Sequence, residues 1–302
     1  MEQGWKLFII ADLNGRARDC GSDRVGHSNR RHGKHLQPTT LRTKLEWVWD
    51  DGNVTSHDLF ELAVVVAIFV LAGVVKGVIG IGLPTIAMGL LGALMTPNQA
   101  AAILVVPALL TNVWQMWDGP FLMVMLRRLW PMLLCAFLGT LPAAGILTKV
   151  NSHVTTALLG TTLVVYALIG LAGVHFKVSR RAEPVLGPLV GLTTGIINGA
   201  TGIFVVPGVP YIQALDFGKD QLVQAMALSA FVSAAALTLG LGLNSGLGGA
   251  VVVPAGLALV AAFVGMTIGK ALRSMLSAIA FRRWVLIGLL MLGCSMVARI
   301  VL

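Results

Sequence analysis

An all-α protein that crosses a membrane many times is the fold class this sequence predicts, and three observations predict it. Its 302 residues are 56% hydrophobic and only 12% charged, whereas a soluble domain carries roughly 25% charged residues. Mean hydropathy is +0.84. From residue 59 onward, apolar stretches follow one another almost without pause, many near the ~20 residues needed to cross a ~30 Å hydrocarbon layer. Runs such as LAVVVAIFVLAGVV (62–75) and ALLGTTLVVYALIGLAGV (157–174) are continuous, so the period-two alternation of a membrane β-barrel is absent.

Residues 1–58 read as a disordered polar N-terminal tail. NGRARDCGSDRVGHSNRRHGKHLQPTT lacks hydrophobic periodicity, and the tail's nine Lys/Arg nearly balance its eight Asp/Glu. WKLFIIADL, soon interrupted by Asp12, is too short for a signal peptide. The tail is either a regulatory or headgroup-binding arm or a dispensable extension.

Ten apolar segments follow, at about 59–79, 83–96, 99–117, 129–148, 153–174, 185–200, 203–215, 221–243, 249–270 and 284–302. About eight to ten of them are expected to span the membrane. The polar stretch HFKVSRRAEP (175–184) divides them into membrane repeat 1 (59–174) and membrane repeat 2 (185–302), with 175–184 as a connecting cytoplasmic loop. The halves resemble each other. GVIGIGLPTIAMGLL from Gly77 parallels GIINGATGIFVVPGV from Gly195; short turns follow (MTPNQ, DFGKDQ), then helices with polar residues (ILVVPALLTNVWQ, LVQAMALSAFVSA). The shared order of all three elements points to duplication.

Basic residues set the orientation. One set of loops holds Arg127 and Arg128, then Lys177, Arg180 and Arg181, then Lys219, then Lys270, Arg273, Arg282 and Arg283; the other set holds Lys149 and Arg299. With the richer set cytoplasmic, both termini lie outside. Each half then makes five crossings, an odd number, so the repeats are expected to be inverted.

Segments 83–96 and 203–215 are short, and each follows a Gly-rich stretch. Short, Gly/Pro-interrupted segments at corresponding places in two halves point to a transporter binding site. The broken or half helices expected there would aim their N-terminal N–H groups and positive dipole ends at an anion. Lys76 is the only charge between Glu61 and Asp118, and a mid-membrane lysine costs about 2.5–3.5 kcal/mol on insertion scales. Either it serves an anion beside the break, or it snorkels to the headgroups. Gly77, Gly80 and Gly82 let the backbone unwind after it, and Pro84 suits the first turn of the next helix.

Polar residues complete the candidate set. Thr111 and Gln115, four residues apart, share a helix face, with Asn112 beside Thr111. Gln224 lies on the corresponding helix of the second half, while Asn198, Thr201 and Gly202 lie in the second Gly-rich stretch. These side chains either ligate an anion or join helices at about 0.6 kcal/mol per bond. Trp114, Trp117 and Trp130 suit an interfacial belt. Cys20, Cys135 and Cys294 are scattered, without metal spacing. P-loop, nucleophile-elbow and zinc-protease motifs are absent, and paired catalytic acids and bases are lacking, so an enzyme is not expected.

The paired stretches GVIGIGLPTIAMG (77–89) and GIINGATGIFVVP (195–207) resemble the repeated motif G-x-x-G-I-G-G-G-x-x-x-x-P of the sulfite exporter TauE/SafE family, also called the toluene sulfonate uptake permease family. The resemblance runs from about residue 59 to the end. Leu83 and Pro84 replace the last two glycines of the first motif, and Gly89 stands where its proline is expected. In the second motif Asn198 replaces a glycine, Ala200 and Thr201 enter the glycine run, and Gly202 and Pro207 are kept. The resemblance implies a secondary transporter of sulfite, a sulfonate or a related small organic anion in the bacterial inner membrane. A channel-like subunit working only with partner proteins is the alternative. The partners expected are a small anionic substrate and the lipid bilayer, with a coupling proton as an open option. No cofactor, metal or nucleic acid is expected, and the oligomeric state is not readable.

Overall fold

The computed structural model describes residues 56–117, 119–173, 177–244, 252–273, 275 and 277–301. The tail expected over 1–58 lies outside them up to residue 55. Regular structure among the described residues is entirely helical. It comprises α1 (Ser56–Ile79), α2 (Leu83–Leu94), α3 (Pro97–Trp117), α4 (Leu122–Lys149), α5 (Ser152–Ala172), α6 (Glu183–Thr201), α7 (Gly208–Gln213), α8 (Lys219–Leu243), α9 (Val252–Leu272) and α10 (Ala278–Val301). Seven of these are long and apolar enough to cross a membrane: α1, α3, α4, α5, α8, α9 and α10. The sequence expectation of eight to ten spans also counted α6, which with its 19 residues is not among those seven, and the short α2 and α7, of 12 and 6 residues.

Local chemistry explains the starts and stops. Gly80 (φ 90°) and Gly82 (φ 114°) sit in the left-handed region, which glycine enters without steric cost. They end α1 and cap α2, whose first turn carries Pro84 and closes through Ile86 N–H to the Gly82 carbonyl, 2.9 Å. Helices α3 and α8 begin alike. The backbone N–H of Thr96 donates to Gln99 Oε1 and that of Gly218 to Gln221 Oε1, each over 3.2 Å, the reciprocal half of a capping box. Asn151 caps α5 by accepting from the His153 N–H at 3.0 Å.

Packing couples the halves. Helix α1 lies against α9 and α6 against α4, while α3 crosses α8 and α5 packs on α10. Helix α3 also meets α9, and α4 meets α8. Exchanging α1–α5 for α6–α10 in order carries this set of pairings onto itself. The contacts of α2 with α5 and α10 have no counterpart of similar extent from α7, which is half as long.

Small residues allow the closest approaches. A Cβ added to Gly77 would lie 2.5 Å from the Met266 carbonyl oxygen, and one on Gly195 would lie 2.2 Å from that of Ala136. One turn earlier, Gly73 meets the Ala262 carbonyl and Gly191 that of Met132. Both helix pairs therefore pack backbone to backbone, the geometry that small-xxx-small spacing permits in membranes. This corrects the expectation of a break within 195–202. Helix α6 continues through Thr201, and the interruption runs over 202–207, because Gly195 and Gly199 are used for contact with α4 rather than for unwinding.

A charged clasp joins the halves outside the apolar packing. Arg128 donates to both carboxylate oxygens of Glu183 (Nε 2.9 Å, Nη2 2.6 Å) and to the Leu215 carbonyl (3.0 Å), with its guanidinium 4.5 Å from the Phe217 ring centroid.

Candidate functional site

Lys76 lies in the last turn of α1, one residue before Gly77 and four before the break. Its side chain is only 3% exposed, so it turns inward rather than snorkelling to the surface. Its ammonium donates to Thr111 Oγ1 at 3.0 Å and to Asn112 Oδ1, both on α3. Thr111 in turn donates to the Pro107 carbonyl at 2.7 Å, the bond to the carbonyl four residues back that a threonine inside a helix makes. Gln115, one turn on, donates to the carbonyl of Gly80 at 2.7 Å, which pins the unwound backbone to α3.

These groups line a small, partly open cavity. Its polar lining is Lys76, Asn112 and Gln115, with Gly80 and Gly82 beside them. Its apolar lining is Ile81 and Pro84 at the first break, Phe204 from the second, and Met226, Ala227 and Ala230 from α8. Both halves thus contribute walls. The N-terminus of α2, 12 residues long, opens beside Gly82 and Pro84, and the N–H groups of its first turn carry the positive end of the helix dipole.

Of the residues singled out from the sequence, Lys76, Gly80, Gly82, Asn112 and Gln115 meet at this cavity. The others do not line it. Gly77 packs against α9. Asn198 and Thr201, expected in the second break, lie inside α6. Asn198 donates to Ser233 O at 3.0 Å and to Thr140 Oγ1 at 3.3 Å, and the Thr201 hydroxyl donates to Ile197 O at 2.7 Å. Gly202 ends α6 at φ 73° with Met88 packed against its open side. Gln224 braces the α3–α4 turn, donating to Met116 O and Gly119 O at 2.8 and 2.7 Å and accepting from Phe121 N–H at 2.8 Å. Sequence reasoning missed Phe204 and the α8 face at 226, 227 and 230. An aromatic inside the second break and a small-residue face beside Gln224 were the available signals, but choosing that face needs the helix register against α3.

A chain of long apolar helices that buries a lysine and a carboxamide between the breaks of its two halves has the architecture of a membrane transporter. A model of the sulfite exporter TauE/SafE family matches residues 65–296, and the chain belongs to that family. Among curated proteins and among solved structures no match was found.

Proposed function

We propose that this protein is a secondary transporter of a small anion, sulfite or a related sulfonate or carboxylate, in the bacterial inner membrane. The carrying observation is Lys76, an almost fully buried ammonium whose hydrogen-bond partners are both neutral oxygens. Hydrogen bonds between membrane helices contribute about 0.6 kcal/mol each, whereas a lysine at membrane depth costs about 2.5–3.5 kcal/mol. Two neutral bonds leave that cost largely uncovered, and a bound anion covers it. The α2 N-terminus and the carboxamides of Asn112 and Gln115 add donors and dipoles of the right sign. Gln224, Asn198 and Thr201 are better assigned to holding helices together, since their side chains are occupied within the protein.

Family membership supports transport, and the family's description makes sulfite the first anion to try. Alternating access by two inverted halves, residues 59–174 and 185–302, is the mechanism this reading implies. The experiment is uptake into liposomes containing the purified protein, with sulfite, thiosulfate, methanesulfonate and acetate offered in turn, with and without an imposed pH gradient. Uptake of at least one of these is expected; movement of none overturns the reading, and uptake that needs added proteins identifies a dependent subunit instead.

A further inference from the structure

We propose that Asn112 sets which anions the cavity accepts, by offering its Nδ2 hydrogens to the substrate while Lys76 holds its Oδ1. This rests on the anion reading of the cavity and adds to it a donor of fixed direction. A lysine ammonium has three donors and no acceptor, so the carboxamide atom that meets Lys76 is the oxygen. Flipping the amide would set N–H against N–H. Thr111 is committed in the same sense, because its hydroxyl hydrogen goes to the Pro107 carbonyl and its lone pairs face Lys76.

The nitrogen of Asn112 is left over. It has no hydrogen-bond partner among the described residues, although the residue is 2% exposed and lines the cavity. Buried polar atoms in native structures are rarely left in this state. The three other carboxamides near the breaks contrast with it: Gln115 is bonded to Gly80, Asn198 to Ser233 and Thr140, and Gln224 to the α3–α4 turn.

The chemical consequence is discrimination. A lysine alone is a compact point charge, which serves a halide as well as an oxyanion. A second donor, held beside it by that same lysine, favours a ligand with two acceptor oxygens, one for Lys76 and one for Asn112. Sites that offer a directed hydrogen bond reject ligands unable to take it far better than apolar pockets discriminate.

The test compares sulfite and methanesulfonate with bromide on the purified full-length protein, measuring liposome uptake and thermal stabilisation in detergent. Wild type should prefer the oxyanions. Asn112→Leu should weaken oxyanion binding roughly tenfold or more and leave bromide binding in place, so the selectivity ratio collapses; Asn112→Gln should restore part of it. Asn112→Ser serves if the leucine variant fails to reach the membrane, because the smaller side chain removes the amide without adding bulk. A parallel loss of both anions would show that Asn112 only steadies Lys76, and an unchanged ratio, or no oxyanion preference in wild type, would equally overturn the proposal. If wild type binds neither kind of anion while remaining folded, the anion reading itself fails, and this inference with it.

Discussion

Lys76 Nζ donates to Thr111 Oγ1 across 3.0 Å, joining residues 35 apart in sequence and tying the last turn of α1 to α3. The bond holds the single buried lysine of the described residues beside the first helix break. Its position makes the charge, rather than the stem, the feature to remove.

Lys76→Met keeps an apolar stem of similar reach and deletes the ammonium. Transport should vanish while the protein stays folded in the membrane, as read by size-exclusion elution and thermal unfolding. Lys76→Arg should keep partial activity, because charge survives but the donor geometry changes. Near wild-type rate and affinity in the methionine variant would show that the charge plays no part.

Gln115 anchors the unwound Gly80 carbonyl at 2.7 Å. Gln115→Leu should lower stability only modestly, by about 0.6–1.7 kcal/mol, while transport falls much further because the break loses its fixed shape. Equal, small changes in both would assign Gln115 to packing alone.

Gly195→Leu should destabilise the fold severely, since its Cβ would fall 2.2 Å from the Ala136 carbonyl oxygen and force α6 from α4. Gly256→Ala is the control, with nothing within 4 Å of the added Cβ. Membrane yield and melting temperature should drop sharply for the first and barely move for the second; a stable Gly195→Leu would contradict the close approach.

The Arg128–Glu183 pair has side chains 24% and 15% exposed, so water screens it in part. A double-mutant cycle with Arg128→Met and Glu183→Gln should give a favourable coupling of about 0.5–1 kcal/mol, between the exposed-pair range and that of contacting residues. Additive losses would show that the pair is incidental.

Inverted repeats place corresponding ends on opposite faces. In a background without Cys20, Cys135 and Cys294, single cysteines at Leu59, in the first turn of α1, and at Arg181, just before α6, should react with a membrane-impermeant maleimide from opposite sides. Labelling of both from one side would make the halves parallel and end the inverted reading.

Class, the succession of apolar helices and the first break were legible in the chain because their causes are local. Hydropathy over about 20 residues selects helices for a bilayer, and Gly80, Gly82 and Pro84 act through their own backbones. Lys76 stood out because a charge in an apolar run is costly wherever it ends up. The uses of the other glycines were not legible. Gly77 and Gly195 belong to the same motif as Gly80 and Gly82, yet they admit the backbones of α9 and α4, and only the neighbour across the interface decides between unwinding and contact. The same holds for Gln224, which faces the α3–α4 turn while Met226, Ala227 and Ala230 face the cavity. Adjacent helical positions differ by about 100° around the axis, so their roles depend on how α8 is rotated against α3. That rotation is set by packing between helices more than 100 residues apart, a long-range outcome that no stretch of either helix encodes alone.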